Sequence, residues 1–237
     1  MMILPSELLS GRARTNRRVP SAQALLKRSL DIIGSTIGLI AFSPVFVILA
    51  VAIKLDSRGP IFYTQERIGI NRRRSRSGEP PYGGCRRVSD TFGRPFKIYK
   101  LRTMVADAER NTGPVWAAAK DVRITRLGRL LRKTRLDEMP QLWNVLRGDM
   151  SIVGPRPERP MFVASITESL PEYPKRCSAL PGITGLAQVK SRYDSSIETV
   201  NRKLAYDLYY VRHGRLLLDL KIMAATVKVM ARGEGAH

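Results

Sequence analysis

Cysteine and histidine are both scarce in this sequence. Its two cysteines, Cys85 and Cys177, lie far apart and outside any C-x-x-C arrangement, so neither a disulfide framework nor a thiolate metal site is indicated. The two histidines, His213 and His237, are too few for a three-histidine zinc site and have no partner at i, i+4. Zinc catalysis is therefore disfavoured, and a Ser-His mechanism would require His213.

Acidic residues are also few. The 237 residues include 20 Asp and Glu against 41 Lys and Arg, which gives a net charge of +21 and a pI near 10.8. Such an excess of positive charge predicts a polyanionic partner: nucleic acid, an anionic membrane surface or phosphorylated small molecules. Hydrophobic residues make up 43% of the chain and charged residues 26%, which excludes wholesale disorder.

No charged residue occurs between Ile32 and Ile53. As a straight helix this run would measure about 33 Å at about 1.5 Å per residue, close to the thickness of a bilayer's hydrocarbon core. It is longer than the apolar part of a secretory signal, which has about 7–15 residues. The run is therefore expected to stay in the mature protein and to enter a membrane.

Ser43-Pro44 lies in the middle of this run. The proline lacks the amide that would bond to the Ile40 carbonyl, so a bend is expected there, with the Ser43 hydroxyl or a neighbouring helix as the carbonyl's partner. Basic residues flank the run on both sides, and the positive-inside rule then places both flanks in the cytoplasm. We predict a re-entrant helix over residues 29–57, broken at Ser43-Pro44. A Pro-kinked transmembrane helix and a buried core helix are the alternatives.

The rest of the chain divides around this segment into a basic lead, residues 1–28, and a cytoplasmic domain, residues 58–237. Two segments of the domain, Pro60–Tyr63 and Pro95–Leu101, are rich in β-branched and aromatic residues and are predicted to be short strands. Between them, the Arg-, Gly- and Pro-rich insert around residues 71–91 is predicted to be a mobile loop.

Two further helices are predicted. Asp121–Arg135 is amphipathic, a pattern that suits an anionic interface and equally a solvated face on a soluble core; its apolar side carries Ile124, Leu127, Leu130 and Leu131. Leu216–Arg232 is apolar apart from Asp219 and a few basic residues. The expected fold class is α/β but mainly helical: a monotopic membrane protein with a re-entrant broken helix, amphipathic interfacial helices and a small β-hairpin.

Asp137 and Glu138 are the first candidates for chemistry. They precede Pro140, which suits the first turn of a helix, so a helix is expected to begin near Met139 or Pro140. Two acids at this point could serve only the helix dipole. The many arginines around them favour a second interpretation, a place where a divalent metal and phosphates bind together.

Arg156 is the second candidate. It lies between Pro155 and Pro157, and the two prolines stiffen its backbone, so its guanidinium is suited to clamp a phosphate. A rigid connector with an exposed arginine is the simpler alternative. Further along, Pro181–Gly185 is predicted to be a tight turn that permits a positive φ at either glycine, followed by an extended piece at Ala187–Val189.

Two acids in the C-terminal helices complete the set. Asp207 and Asp219 each have mostly apolar or aromatic neighbours along the sequence. Buried acids of this kind usually pair with an arginine, so a structural role is the strong expectation for them.

In combination, these segments resemble the bacterial sugar transferase family, the small monotopic phosphoglycosyl transferases that use polyprenyl phosphate. The resemblance covers about residues 25–230. The motifs that carry it, in order, are Lys27–Asp31, Ser43-Pro44, Lys100–Met104, Arg135–Leu142, Gly148–Pro157 and Pro181–Val189.

The resemblance implies an activity and a location. It implies a Mg²⁺-dependent enzyme on the cytoplasmic face of the bacterial inner membrane, which moves a sugar-1-phosphate from a UDP-sugar to undecaprenyl phosphate and releases UMP. Such a step initiates exopolysaccharide, capsule or related glycan synthesis. An anionic membrane surface is then the expected partner of the basic lead and insert.

The resemblance also implies residue roles. Asp137 matches the family's nucleophile, and Glu138 matches the glutamate that serves the metal beside it. Arg132, Arg156 and Arg192 match arginines thought to contact phosphate, and Asp219 matches a further polar site residue.

Two other hypotheses compete with this enzyme. A membrane-tethered nucleic-acid-binding protein is motivated by the +21 charge, but aromatics at 7% and the lack of an RNP-like motif argue against it, so no nucleic-acid partner is expected. A scaffold that only recruits polysaccharide machinery would need a degenerate dyad, and Asp137-Glu138 is intact. The sequence indicates neither the sugar, nor the glycan pathway, nor the oligomeric state.

Overall fold

The computed structural model describes residues 21–71, 92–108, 121–191 and 197–231. Most of the predicted basic lead and nearly all of the Arg-rich insert lie outside these residues, as does Arg192. Within them the protein is mainly helical with a small antiparallel hairpin, as expected. The monotopic membrane topology stays a prediction.

The apolar segment forms one helix, α1 (Ser21–Asp56), of 36 residues. Ser43 Oγ donates a hydrogen bond to the Ile40 carbonyl at 2.8 Å, which confirms the partner expected for the carbonyl that Pro44 leaves free. The predicted break must be corrected, because the residues stay helical through Ser43-Pro44 with no non-helical turn. The helix also begins upstream of the boundary predicted at residue 29. The re-entrant path remains a prediction.

One side of α1 packs on the domain. Phe42 and Ile53 are buried, and a Cβ on Gly34 or Gly38 would lie 2.8 Å from a side chain of the domain. These positions share one helix face. By length and composition α1 could cross a membrane. Its other side exposes large apolar residues, including Ile33, Ile37, Ile40, Val47, Ile48 and Val51.

Two small sheets follow. Strands β1 (Phe62–Ile68) and β2 (Pro95–Leu101) pair antiparallel, with Gln65 opposite Ile98. The predicted bounds of β2 are confirmed, whereas β1 begins and ends later than predicted. Strands β3 (Ser151–Val153) and β4 (Gly182–Thr184) pair in parallel.

The segment after β4 differs from the prediction. Residues 187–189 are not extended but belong to α5 (Leu186–Lys190). Gly182 and Gly185 are both described by the structure, and neither has a positive φ. Glycine is needed at 182 for close approach instead, because a Cβ there would lie 2.1 Å from the Gly154 nitrogen.

The remaining helices surround these sheets. Helix α2 confirms the predicted amphipathic helix in part: it begins at Arg126 rather than at Asp121, so Ile124 lies before the helix and pairs with Met104 in an isolated bridge. Leu130 is 55% exposed while Leu131 is fully buried, so Leu130 lies outside the buried face. Helix α7 confirms the predicted C-terminal helix. In chain order the helices are α2 (Arg126–Thr134), a 3₁₀ helix (Leu136–Glu138), α3 (Gln141–Arg147), α4 (Pro160–Ser169), a 3₁₀ helix (Tyr173–Ser178), α5, α6 (Ile197–His213) and α7 (Leu216–Ala231).

Both ends of α1 are tied to the domain by arginines. Near its N-terminus, Arg28 donates to the carbonyls of Val145 and Leu146 at 2.6 and 2.7 Å and so satisfies the last turn of α3. At the other end, Arg102 donates to the Ile53 carbonyl at 3.0 Å. The apolar helix is therefore held in a fixed position relative to β2 and α3.

Candidate active site

The Asp137-Glu138 dyad lies in the 3₁₀ helix directly before α3. Helix α3 begins at Gln141, directly after Pro140 and one residue later than the predicted start near Met139 or Pro140. Arg135, which ends α2, has φ +60°, a left-handed conformation that costs a non-glycine residue about 1–3 kcal/mol and is frequent at functional sites. The reversal at Arg135 leaves both acids buried, with Asp137 at 6% and Glu138 at 7% exposure.

Glu138 is surrounded by cations. Arg156 Nη2 and Lys100 Nζ both donate to Oε1, at 2.7 and 2.8 Å, and Arg135 Nη1 lies 3.8 Å from Oε2. Burial alone would raise the pKa of Glu138, but the charges of Arg156 and Lys100 outweigh it and hold the pKa well below its usual range. Glu138 is therefore ionised at neutral pH and orients two of the site's cations.

Asp137, unlike Glu138, has no direct partner for its carboxylate among the described residues. Within the described residues, nothing donates a hydrogen bond to its carboxylate and no ion pair reaches it. Burial raises the pKa of Asp137, with Lys100 and Arg132 opposing the rise and the charge of Glu138 adding to it. Two adjacent carboxylates titrate as a pair. Asp137 thus combines free oxygen atoms, low exposure and nearby positive charge, which suits a nucleophile toward phosphorus.

Lys100 is a site residue that the sequence reasoning did not assign. It lies in β2, and burial lowers its pKa, while the charge of Glu138 opposes that change. Asn144 on α3 holds this strand in place, because its Nδ2 donates to the Lys97 carbonyl at 2.8 Å and its Oδ1 accepts from the Tyr99 amide at 3.2 Å. The available signal was a lysine within a strand of apolar and aromatic residues.

Arg132 approaches the dyad from α2. Its Nε donates to Thr103 Oγ1 at 3.0 Å, and it forms no ion pair with the described residues. Gly128 lets α2 pack against residue 103, because a Cβ there would lie 2.0 Å from the Thr103 carbonyl oxygen. Burial lowers the pKa of Arg132, and Asp137 counteracts this. Arg132 thus contributes positive potential near Asp137 while its guanidinium keeps donors for a phosphate.

Asp219 does not join the dyad in the structure. Its Oδ2 accepts from Lys27 Nζ at 2.9 Å, and its Oδ1 accepts from the Tyr210 hydroxyl at 2.7 Å. The expected pairing with an arginine holds for Asp207, which lies 2.7 Å from Arg176, and is wrong for Asp219, whose cation is a lysine. Both acids are satisfied by partners within the fold.

Two adjacent carboxylates are the only metal-ligand set that the described part of the site offers. Among the described residues, no group of three or more His, Cys, Asp or Glu side chains is placed to bind a metal. Mg²⁺ is often bound by one or two carboxylates together with substrate phosphates. Asp137 offers both oxygens and Glu138 offers Oε2, since Oε1 is engaged by Lys100 and Arg156. The dyad therefore fits a magnesium ion whose coordination a diphosphate completes.

Comparison with known proteins identifies relatives over most of the chain. A UDP-N-acetylgalactosamine-undecaprenyl-phosphate N-acetylgalactosaminephosphotransferase from Aeromonas hydrophila is 36% identical over 98% of this chain, which spans 52% of that protein. A UDP-glucose:undecaprenyl-phosphate glucose-1-phosphate transferase from Caulobacter vibrioides is 38% identical over 90% of this chain and 72% of its own length. An exopolysaccharide production protein from Rhizobium leguminosarum bv. phaseoli is 36% identical over 89% of this chain and 98% of its own length.

The family assignment rests on a match to the family as a whole. The sequence profile described as bacterial sugar transferase matches residues 22–233, a range that contains all of α1 except its first residue, the dyad and both sheets. The relatives above are named for different sugars, so the match does not extend to the sugar. The chain belongs to the bacterial sugar transferase family.

Proposed function

We propose that this protein transfers a sugar-1-phosphate from a UDP-sugar to undecaprenyl phosphate through a covalent intermediate on Asp137, with release of UMP. The names of the Aeromonas and Caulobacter relatives support the substrate classes. The observation that carries the proposal for this chain is the contrast within the dyad. Glu138 is held by Lys100 and Arg156, whereas the oxygens of Asp137 accept no hydrogen bond from any residue that the structure describes.

In the first step, an Asp137 carboxylate oxygen attacks the β-phosphorus of the UDP-sugar. The new bond is an acyl phosphate, and the bond from this phosphorus to the bridging oxygen breaks, so that UMP leaves with the electron pair. An anion attacking an anion needs its repulsion reduced. That positive charge is supplied by Lys100 on β2, Arg132 on α2 and Arg156 in the segment after β3.

In the second step, a phosphate oxygen of the lipid attacks the same phosphorus. The acyl phosphate bond breaks, Asp137 regains its carboxylate, and the sugar is left on a lipid diphosphate. Because one product leaves before the second substrate reacts, the kinetics are expected to be ping-pong. Mg²⁺ at Glu138 and Asp137 would lower the negative charge of the diphosphate and of the departing UMP.

Membrane attachment is the second part of the proposal. We place the site at the cytoplasmic face of the inner membrane, with α1 re-entering the bilayer. The exposed apolar side of α1 supports this placement, as do Arg28 and Arg102, which tie its ends to α3 and β2. A lipid acceptor keeps its phosphate at the interface, so the site that uses it must lie there.

The test is a trapping experiment with the full chain in detergent or nanodiscs. Purified protein is incubated with Mg²⁺ and a panel of UDP-sugars labelled in the β-phosphate, with and without undecaprenyl phosphate. Label on the protein without acceptor, and its transfer to lipid on addition of acceptor, are expected. Asp137→Asn should retain no label, and Asp219→Asn is the matched acid control. Full turnover by Asp137→Asn would exclude the mechanism.

The nucleic-acid alternative has no support beyond net charge and is not proposed.

A further inference from the structure

The backbone around Arg156 is fixed by hydrogen bonds to consecutive carbonyls. Each carbonyl of the segment Pro155–Glu158 accepts a hydrogen bond from another part of the chain. Because two of these four residues are prolines and have no amide hydrogen, the carbonyls are the more numerous backbone groups through which the segment can be held. The donors, in the order of the carbonyls, are Gly182 N at 2.9 Å, Arg176 Nη2 at 2.9 Å, Arg67 Nη1 at 3.1 Å and Ile68 N at 2.9 Å.

The donor to the Arg156 carbonyl is itself held on several sides. Arg176 is 6% exposed. Its Nε donates to Asp207 Oδ2 at 2.8 Å, and its Nη1 donates to the Tyr173 hydroxyl at 2.9 Å. Asp207 lies on α6 and is 2% exposed. The guanidinium of Arg176 therefore has a single orientation, set by an interior carboxylate.

Arg156 thus connects this interior pair with the dyad. Its carbonyl is held by Arg176, while its Nη2 donates to Glu138 Oε1 at 2.7 Å. Its side chain is 36% exposed, so part of the guanidinium remains open to a substrate. A buried ion pair by itself is weak evidence for stability. Here one of its members bonds directly to the backbone of a site residue.

We propose that Arg176 and Asp207 are positioning residues that hold the Arg156 guanidinium in the geometry needed for phosphate, and that they act on the reaction only through Arg156. The inference rests on the proposed function for its kinetic consequence. A misplacement of about 1 Å caused by a change outside the reacting centre can cost about 100-fold in rate. An effect of that kind is expected when the Arg176 contact is lost.

A double-mutant cycle tests this proposal. Arg176→Lys keeps a cation for Asp207 but loses the fork that also reaches the Arg156 carbonyl. In the unsubstituted background we expect kcat at saturating UDP-sugar to fall about 10- to 100-fold. In an Arg156→Lys background, the same substitution should change kcat less than about twofold, because the guanidinium that it positions is gone. Equal losses in the two backgrounds would show a structural role only and would overturn the proposal.

Tyr173→Phe is the matched control. It removes one hydrogen bond of Arg176 and leaves those to Asp207 and the Arg156 carbonyl. Its kcat should stay within about twofold of the unsubstituted value. A loss as large as that of Arg176→Lys would mean that the site responds to any disturbance of this interior, against the proposal. If Arg176→Lys does not fold, the cycle is run with Asp207→Asn, with the same expectations.

A second readout does not depend on turnover. In protein labelled with ¹⁵N-arginine, the Arg156 Nε signal is identified by its absence in Arg156→Lys. Arg176→Lys should increase the mobility of that signal, and Tyr173→Phe should not. An unchanged Arg156 signal in Arg176→Lys would overturn the positioning role. Absence of turnover in the unsubstituted protein, by contrast, would overturn the proposed function and leave this test valid.

Discussion

Two buried clusters in this protein, one around Asp219 and one around Asp137, differ in their hydrogen bonding. Asp219 lies between Lys27 and Tyr210, and each of its oxygens accepts a hydrogen bond. Asp137 lies beside a glutamate and several cations, and within the described residues its oxygens accept none. Burying a carboxylate without partners is costly. Asp219 therefore joins elements of the fold, whereas the state of Asp137 is the one that the proposed nucleophile requires.

The largest expected effect is that of Asp137→Asn. The amide has nearly the same volume but is a much weaker nucleophile, so kcat should fall at least about 1,000-fold. The folded state should not lose stability, because no hydrogen bond to the carboxylate within the described residues is removed. UMP release from the UDP-sugar and thermal unfolding are the two measurements. Residual activity within tenfold of the unsubstituted protein would contradict the assignment of the nucleophile.

Glu138→Gln should have the next largest effect. The substitution leaves Lys100 and Arg156 without their shared anion, so both cations lose their orientation toward the substrate. We expect kcat/KM to fall about 100- to 1,000-fold, with Asp137 still able to form some intermediate. Rapid-quench measurement of the labelled protein separates the two steps. A variant that labels and turns over normally would show that the ion pairs of Glu138 are only structural.

The pH dependence should separate the two members of the dyad. Burial raises the pKa of Asp137 above its ordinary 3.8, so as the pH falls the nucleophile is protonated, and activity is lost, earlier than for an exposed aspartate. The pKa of Glu138 lies well below its ordinary 4.5. The ionised Glu138 therefore stabilises the fold fully above its ordinary pKa of 4.5. This stabilisation is lost only as the pH falls through the lower pKa of the folded state. The acidic limb of kcat/KM should therefore lie above pH 3.8.

The measurement is a pH profile of kcat/KM alongside circular dichroism at each pH. We expect activity to decline while the protein is still folded. An acidic limb at or below pH 3.8, or one that coincides with unfolding, would contradict the raised pKa of Asp137.

The smallest effect on chemistry is expected for Asp219→Asn. The change weakens the contact with Lys27, so the free energy of unfolding should fall by about 1–3 kcal/mol. Activity per folded molecule should change less than about threefold. Urea titration and single-turnover kinetics of the same preparation measure the two quantities. A loss of rate as large as that of Glu138→Gln, without loss of stability, would remove the distinction between the two clusters.

Local signals in the sequence predicted much of the fold. The bounds of β2, the start of α3 directly after Pro140 and the hydrogen bond from Ser43 to the Ile40 carbonyl all follow from nearby residues. Leu130 fell outside the buried face because the neighbours of a helix decide which of its apolar side chains are covered. The helix at Leu186–Lys190 was missed because five residues are too few for a periodic pattern.

The site was harder to predict than the elements that carry it. Asp137, Glu138 and Arg156 come from short motifs, and the structure brings Glu138 and Arg156 together. Lys100 lies 38 residues from Glu138, and Lys27 lies 192 residues from Asp219. Partners so distant along the chain are set by tertiary packing, and no local pattern contains them. The sequence therefore predicted which acids are candidates for chemistry but not which of them the fold satisfies.

The central claim is that Asp137 carries the sugar phosphate between the two substrates. Its most direct test is mass spectrometry of the full chain after rapid quench with UDP-sugar and Mg²⁺ in the absence of lipid acceptor, followed by peptide mapping. The account predicts a mass increase of one sugar phosphate on the peptide that contains Asp137, and its disappearance when undecaprenyl phosphate is added. Turnover to lipid product without any such adduct, or an adduct on another residue, would contradict it.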